Sequence, residues 1–400
     1  MALDGLNTRA RYGRVVVFAA VFVFVWMPMP TPPRVRFDAS LWQLPSSAAQ
    51  SQARPRTPAL DFGVQRWRPA SLQHQQDGRI HRLSGQTMGT HWSLRLVNPD
   101  YLPTEPVQAL LEQVFEDVIA QMSNWEADSL ITRFNRSRPG ETHVVPAEFA
   151  HVLEAALHWA RLSGAAIDPG MGALVSLWGF GPRQNPLQPH SGQAPAGEEI
   201  ERLLKTSGHG HLRWNAQTRQ LQQSGGLELD FCGIAKGFAV DWAVQKLQAA
   251  GWAAGMFEIG GELRSWGARP DGRPWQVQLG TGGSVEAESL VVACREGAFA
   301  TSGDFWHQFT QAGRRYSHTL DPRTGWPVTH DLASVTVFHE ECMHADALAT
   351  VLTVLGPQQG MDFARQHEIA AVLTSHLASG GNEACRQVLK TPAWINQFEA

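Results

Sequence analysis

A chain of 400 residues is long enough to bury a substantial hydrophobic core, and charged side chains make up 18% of it. Its formal net charge of −4 offers no basic surface of the kind that binds nucleic acid, so we exclude that class of partner. Its four cysteines form no CxxC pair, which argues against a structural zinc site and a disulfide-rich scaffold.

The N-terminus has the pattern of an export signal. Arg9, Arg11 and Arg14 precede an uncharged apolar run over residues 15–27, and the prolines of "PMPTPP" follow that run. A basic stretch before an apolar run of this length is typical of a signal peptide, which is either cleaved or retained as a membrane anchor. We therefore predict a signal segment over residues 1–29 and an exported protein.

The next segment, residues 30–78, is predicted to be a disordered tether. It is rich in Pro, Gln, Ser, Ala and Arg, and its stretch "SSAAQSQARPRTP" has no periodicity. Folded structure is predicted to begin near Ile80, so a single domain is expected over residues 79–400.

Within that domain, strand and helix patterns are mixed along the chain. Amphipathic helices are predicted over residues 106–122, with a proline in the first turn, and over residues 146–164, which a glycine ends. A strand, a turn and a helix are predicted over residues 227–251. Further strands are predicted over residues 90–97, 255–259, 275–279, 290–294, 315–320, 334–338 and 369–374, and further helices over residues 343–356 and 357–366. Adjacent strands with separate helices indicate one large α+β domain.

The helix predicted over residues 343–356 carries oxygen-bearing side chains on an otherwise apolar surface. Asp346 and Thr350 are four residues apart and share a face, and Thr353 follows one turn later. A carboxylate and a hydroxyl are the hard oxygen donors that magnesium prefers. The same pair is compatible with a plain helix start, where Asp346 complements the helix dipole and Thr350 bonds back to the preceding turn.

A second candidate motif is "LDFCGIAKGFAVDWAV". Gly233 and Gly237 allow the backbone to approach a ligand closely, and Lys236 lies at a predicted helix start, where it can meet a phosphate. The stretch is not a Walker A loop, since GxxxxGK[ST] is absent. The alternative is an ordinary strand-to-helix connection with a solvated lysine.

A third candidate is the segment "YSHTLDPRTGWPV". His318 lies just before the turn "DPRTGWP", at a predicted strand end. Histidine at such a position can move protons or bind phosphate near neutral pH, or it can be a satisfied core residue.

The order of these motifs over residues 86–356 resembles that of the FAD:protein FMN transferases, the ApbE-like family. The matching stretches are "QTMGTHWSLRL", "MSNWEADSLITRFN", "IDPGMGALVSLWGFGP", "LDFCGIAKGFAVD", "EIGGELRSWG", "ATSGDFWHQF", "YSHTLDPRTGWPV" and "ADALAT". The resemblance implies a T-fold-like α+β domain and a location on the periplasmic side of the inner membrane. It also implies a reaction: FAD is cut at its pyrophosphate, FMN is joined to a threonine of a membrane-associated or exported acceptor protein, and AMP leaves.

The resemblance also implies the site residues. It places Gly233, through its carbonyl, with Asp346 and Thr350 at a Mg²⁺ site, with Ala349 beside them. His318 and Asp346 are the two candidates to accept the proton of the attacking hydroxyl, and His318 is favoured because a metal-bound carboxylate is a weaker base. The residues that match FAD-binding positions are Met88, Trp125, Ala166, Ile167, Asp168, Asp230, Lys236 and Thr319.

The sequence departs from the family pattern at two positions. Cys232 stands where the family usually has a glycine, and Gly170 stands where a threonine is frequent. Because the motifs that contain Cys232 and Cys342 both approach the metal, we hypothesise a disulfide between these two cysteines.

The rival functions are an FAD-binding or storage protein without catalysis, and a pyrophosphatase that hydrolyses FAD to FMN and AMP.

Overall fold

The computed structural model describes residues 78–182, 194–279, 290–303, 308–311, 314–376 and 387–399. The predicted signal segment and the predicted tether lie outside the described residues, apart from Gly78. Among the described residues, no helix is long and apolar enough to span a bilayer.

An eight-stranded sheet runs through the centre of the fold, and each of its neighbouring pairs is antiparallel. Its strand over residues 90–97 alternates between buried and exposed side chains, whereas its strands over residues 332–339 and 370–375 are buried along most of their length. The strands, in spatial order, are β1 (Ile80–Thr87), β2 (Thr90–Val97), β6 (Gly255–Ile259), β7 (Glu262–Trp266), β10 (Gly297–Gly303), β15 (Leu332–His339), β16 (Ala370–Ser375) and β17 (Val388–Lys390).

Smaller antiparallel sheets surround the central one. They comprise β3 (Thr142–Val144), β5 (Gln220–Gln222) and β4 (Arg213–Asn215) in one sheet, and the pairs β8 (Trp275–Leu279) with β9 (Leu290–Cys294), β11 (Gln308–Gln311) with β12 (Arg314–Ser317), and β13 (Leu320–Asp321) with β14 (Trp326–Pro327).

Eight α-helices complete the described part of the chain, and together with the separate sheets they confirm the α+β class. They are α1 (Glu105–Met122), α2 (Leu130–Asn135), α3 (Ala147–Leu162), α4 (Gly172–Leu177), α5 (Gly197–Leu204), α6 (Ala235–Ala249), α7 (Cys342–Gln366) and α8 (Pro392–Phe398). Within α7, Gly356 has a φ of 77° and is followed by Pro357, so the helix is broken where the sequence predicts two.

The strand predicted at the start of residues 227–251 is wrong. Loop and side-chain groups, rather than a neighbouring strand, satisfy this backbone: Leu229 N–H donates to the Asn135 side chain at 2.7 Å, and Asp230 N–H donates to the Pro169 carbonyl at 2.9 Å. The Asn135 amide donates in turn to the Leu229 carbonyl. The backbone of Leu229 and Asp230 is therefore hydrogen-bonded without belonging to a sheet. The strand predicted over residues 315–320 is interrupted, because residues 318–319 separate β12 from β13.

Helices α6 and α7 approach each other so closely that one position on α6 has room only for glycine. A Cβ on Gly237 would collide with the Cys342 carbonyl oxygen and lie 2.8 Å from the Asp346 Cβ. Both helices carry alanine and valine on their buried faces, which further shortens the distance between their axes. The position of Asp346 relative to α6 therefore depends on the absence of a side chain at Gly237.

We expect Gly237→Ala to lower the free energy of unfolding by about 1–3 kcal/mol, because the added methyl group overpacks the contact between the two helices. Urea denaturation followed by circular dichroism measures the change. Gly197→Ala is the matched control, since a Cβ at that helical position meets nothing within 4 Å. Equal stability of the two variants would contradict this account of the packing.

Candidate active site

The N-terminus of α7 is held by an aspartate from a different helix. Asp241 on α6 accepts hydrogen bonds from the backbone N–H groups of Cys342 at 2.9 Å and Met343 at 2.8 Å. Arg264 of β7 pairs with the same carboxylate at 2.5 Å. The residue that precedes α7, Glu341, makes no side-chain cap of its own. Asp241 thus caps the N-terminus of α7 from a different helix and fixes the residue at which α7 begins.

Asp346 lies in the second turn of α7 and is buried. Its Oδ2 accepts a hydrogen bond from the Gly237 N–H at 3.0 Å, and no described residue donates to its Oδ1. Burial raises the pKa of Asp346 above its ordinary value, while the charge of Lys236 and the Gly237 bond oppose that shift. Because α7 has no acidic residue in its first turn, the dipole-capping alternative for Asp346 is not supported.

The two threonines that follow Asp346 on α7, Thr350 and Thr353, have different surroundings. Thr353 is buried and its hydroxyl donates back to the Ala349 carbonyl at 2.7 Å, which is the purely structural role. Thr350 makes no such back-bond among the described residues: its Oγ1 lies 3.5 Å from the Ser302 Oγ, and a Cβ on Gly233 would come within 2.9 Å of it. The side chain of Ala349 is a buried methyl group, and its carbonyl oxygen already accepts the Thr353 hydroxyl, so Ala349 borders the site.

Lys236 is paired with a carboxylate that the sequence analysis did not single out. Its Nζ lies 2.5 Å from Oε1 of Glu262, the first residue of β7, which is buried. Burial alone would lower the pKa of Lys236, but the charges of Glu262 and Asp346 outweigh burial and raise it. Burial raises the pKa of Glu262 to about 7 against the opposing effect of Lys236. The lysine is therefore a cation whose ammonium is held by Glu262 while part of its side chain stays exposed.

The oxygen atoms in this cluster suit a hard divalent cation. They include the Asp346 carboxylate and the Thr350 hydroxyl, with Gly233 against that hydroxyl. Within the described ranges, no three His, Cys, Asp or Glu side chains converge as a metal site. A cation here would consequently depend on hydroxyl, carbonyl and ligand oxygens in addition to one carboxylate.

The segment that contains Asp168 is fixed against a neighbouring loop. Asp168 is buried, and its carboxylate accepts from Gly170 N–H at 2.8 Å, from His209 N–H at 3.0 Å and from His209 Nδ1 at 2.6 Å. The side chains of Ala166 and Ile167 are buried in the core. These contacts give the segment a rigid shape, which is what a surface that lines a ligand requires.

Asp230 connects that segment to the region around Trp125. Its Oδ1 accepts from the Cys232 N–H at 2.7 Å, and its Oδ2 lies 3.4 Å from Nδ2 of Asn124. Burial raises the pKa of the Asp230 carboxyl. Trp125, next to Asn124 in the chain, has 64% of its surface exposed. An indole so exposed beside a rigid loop is available for stacking.

The other predicted residues lie on turns. Met88 lies in the turn between β1 and β2, with a φ of 49°, and is partly buried against the core. His318 lies between β12 and β13, with its ring edge-on to Phe180 at 6.3 Å between centroids. Thr319 follows it and accepts at its carbonyl from the Val328 N–H. At the start of α6, Gly233 therefore lies against Thr350, Gly237 bonds to Asp346, and the charge of Lys236 acts on Asp346, whereas His318 and Thr319 lie with the segment after α4.

The residues that sequence reasoning missed act through tertiary contacts. Asp241 is the one acid of the apolar stretch "GFAVDWAV", and Glu262 stands between a glycine pair and Leu263 in "GGEL"; an acid that such a stretch buries requires a partner. That signal could have marked them as paired, but it could not have named Arg264 and Lys236 as the partners. Ser302 and His209 carry no comparable signal.

The hypothesised disulfide between Cys232 and Cys342 is wrong, since both residues are free thiols. The Cys342 sulfur is buried against the Phe299 carbonyl at 3.9 Å, whereas Cys232 lies in the exposed turn before α6. Proximity of the two motifs to one site therefore does not bring the sulfur atoms together.

Comparison with known proteins identifies similar chains. The model of the ApbE family matches residues 88–373. The FAD:protein FMN transferase of Vibrio cholerae is 36% identical over 310 residues, which cover 76% of this chain and 90% of that protein. The protein of the same name from Haemophilus influenzae is 32% identical over 314 residues, covering 76% and 89%.

Solved structures show the same similarity in three dimensions. The apo form of the Pseudomonas stutzeri flavinyl transferase ApbE superposes with a TM-score of 0.72 at 32% identity, covering 80% of this chain and 97% of that one. The flavin transferase ApbE from Vibrio cholerae gives 0.69 at 32% identity, covering 79% and 99%.

Proposed function

The chain belongs to the ApbE family, and from that premise we propose that it transfers FMN from FAD to a threonine hydroxyl of a partner protein in a Mg²⁺-dependent reaction. The observation that carries the proposal is the cluster in which Lys236, Gly233, Asp346 and Thr350 meet at the junction of α6 and α7. It combines an ammonium for phosphate with hard oxygens for a cation.

The bonds of the proposed reaction balance as follows. The threonine oxygen of the acceptor forms a bond to the phosphorus of the FMN half of FAD. The bond from that phosphorus to the bridging oxygen breaks, and AMP leaves with the electron pair. The proton of the threonine hydroxyl passes to a base on the enzyme. Such a reaction needs chiefly positioning and neutralisation of the charge on the phosphate oxygens.

Each residue of the cluster has a role in this proposal. The ammonium of Lys236, whose side chain is partly exposed, binds the pyrophosphate, and Asp346, Thr350 and the Gly233 carbonyl would hold Mg²⁺ beside Ala349. When bound, Mg²⁺ neutralises charge on the pyrophosphate oxygens. Asp346 can serve it through Oδ1, because Oδ2 is already bonded to the Gly237 N–H.

We assign the flavin to the surface that the turns and loops around this cluster form. The exposed indole of Trp125 suits stacking on an aromatic ring, and the rigid segment containing Asp168 provides backbone groups of fixed direction. The full proposed set for FAD is Met88, Trp125, Ala166, Ile167, Asp168, Asp230, Lys236 and Thr319.

His318 is the proposed base. Asp346 is committed to the cation and to the Gly237 N–H, which makes it a poorer proton acceptor. His318 lies in the turn between β12 and β13 and is partly exposed, so an acceptor hydroxyl can approach it, and imidazole accepts protons near neutral pH. Asp346 remains the second candidate.

Replacing Asp346 tests the function and separates it from its rivals. We expect Asp346→Asn to lower the transfer rate by roughly 100-fold, because the cation loses its charged ligand. The assay combines the full chain with FAD, Mg²⁺ and an acceptor protein. Covalent fluorescence on the acceptor indicates transfer, free FMN with AMP indicates hydrolysis, and unchanged FAD indicates binding only.

The control for this experiment is Asp362→Asn, which removes an exposed acid from the second segment of the same helix. It should retain the wild-type rate, and chelation should abolish transfer by the wild-type chain until Mg²⁺ is restored. Full transfer by Asp346→Asn in the presence of chelator would refute the proposed role of the cation.

His318→Gln should lower the transfer rate by about 100-fold or more while FAD binding, followed by quenching of flavin fluorescence, is unchanged. The physical reason is that glutamine preserves size and polarity but cannot take up a proton. His211→Gln, at an exposed histidine, is the control. If the wild-type pH–rate profile were retained in His318→Gln, Asp346 would become the preferred base.

We also propose that the enzyme acts outside the cytoplasm, on the periplasmic side of the inner membrane, on a membrane-associated or exported acceptor. Support comes from the basic and apolar pattern of residues 1–29 and from the tether pattern of residues 30–78. A fusion of residues 1–78 to alkaline phosphatase should be active, since that reporter requires export. An inactive, stable fusion would exclude this location.

A further inference from the structure

The buried charges beside Asp346 do not cancel. Two carboxylates, Asp346 at 4% exposure and Glu262 at 2%, act on one ammonium, that of Lys236. The ammonium forms its ion pair with Glu262 at 2.5 Å. The charge of Asp346 attracts the same ammonium without forming the short pair. The two acids thus compete for one cation, and in the described structure Glu262 holds it.

Binding the ammonium itself would have a chemical cost for Asp346. An ammonium bound directly to its carboxylate would neutralise the negative charge that a divalent cation requires and would repel that cation. We propose that Glu262 is a positioning residue, which holds Lys236 away from Asp346 and so keeps the Asp346 carboxylate available to a divalent cation. This inference rests on the cation site of the proposed function.

The geometry of Glu262 supports a role beyond stability. Its Oε1 is used by Lys236, but its Oε2 is buried and has no hydrogen-bond partner among the described residues. An unsatisfied buried carboxylate oxygen is costly and rare, so a position that needs only packing would favour an apolar side chain. Glu262 also follows Gly260 and Gly261, whose φ values of 63° and 108° form a turn that other residues rarely adopt. That turn sets the direction of β7 and, with it, the reach of Glu262 to Lys236.

Binding of Mn²⁺ to the full chain, measured by electron paramagnetic resonance of the free ion, tests the inference without relying on activity. Glu262→Gln should raise the dissociation constant for Mn²⁺ by about tenfold, since residues that position ligands commonly contribute 10–100-fold to metal affinity. Adding Lys236→Met to it should restore the constant to within about threefold of wild type, because the competing ammonium is then gone. Glu399→Gln, which removes another 2.5 Å pair, with Lys390, is the control and should change nothing.

Each result decides the inference. An unchanged constant in Glu262→Gln overturns it. A double variant as weak as Glu262→Gln also overturns it, because Glu262 would then serve the cation itself. If Glu262→Gln does not fold, Glu262→Asp replaces it: this variant keeps the charge but shortens the reach, and wild-type affinity in it would overturn the inference.

The outcome is separable from that of the proposed function. Weakened and restored Mn²⁺ binding in a chain that modifies no acceptor would uphold the role of Glu262 and refute the transfer reaction. If the wild-type chain transfers FMN and Glu262→Gln binds Mn²⁺ as tightly as wild type, the transfer reaction is upheld and the role of Glu262 is refuted. A wild-type chain that binds no Mn²⁺ would remove both the cation site and this inference.

Discussion

The contact between α6 and α7 at Gly237 is the constraint on which the site depends. With no side chain at that position, the backbone N–H of α6 reaches the Asp346 carboxylate at 3.0 Å, and the two helices share a single interface. Gly233, one turn earlier, comes against Thr350 for the same reason. A site assembled from two helix starts in this way is as rigid as the core beneath it, which is what precise placement of a pyrophosphate needs.

Two ion pairs between α6 and β7 hold α6 in place for this contact. In one pair α6 contributes the base, and in the other it contributes the acid. On β7, Glu262 and Arg264 are two residues apart and so project to one face, while α6 supplies Lys236 and Asp241. One pair holds a lysine at the site, and the other holds the aspartate that caps α7. Burying such charges is costly unless each is matched, which ties the alignment of α6 on the sheet to correct pairing at both positions.

Periodicity in the sequence predicted those elements whose burial follows one face. The strands at β2, β6, β8 and β9 and the break in α7 at Gly356 all agree with it. It failed at Leu229, where an apolar run is bonded by Asn135 and loops rather than by a strand, because local pattern cannot show which partner satisfies a backbone. For the site, spacing placed Asp346 and Thr350 on one face, but the partners Asp241 and Glu262 come from distant chain segments. The residues proposed to contact the flavin came from family resemblance, since nothing in their local pattern marks them.

The departure at Cys232 leaves the oxygen character of the site intact. The backbone N–H of Cys232 donates to Asp230 at 2.7 Å, a bond that glycine would make equally well. The negative charge of Asp230 raises the pKa of the Cys232 thiol well above its ordinary value. Only the thiolate is a strong metal ligand, so the carboxylates around Cys232 keep sulfur from competing with oxygen for a cation.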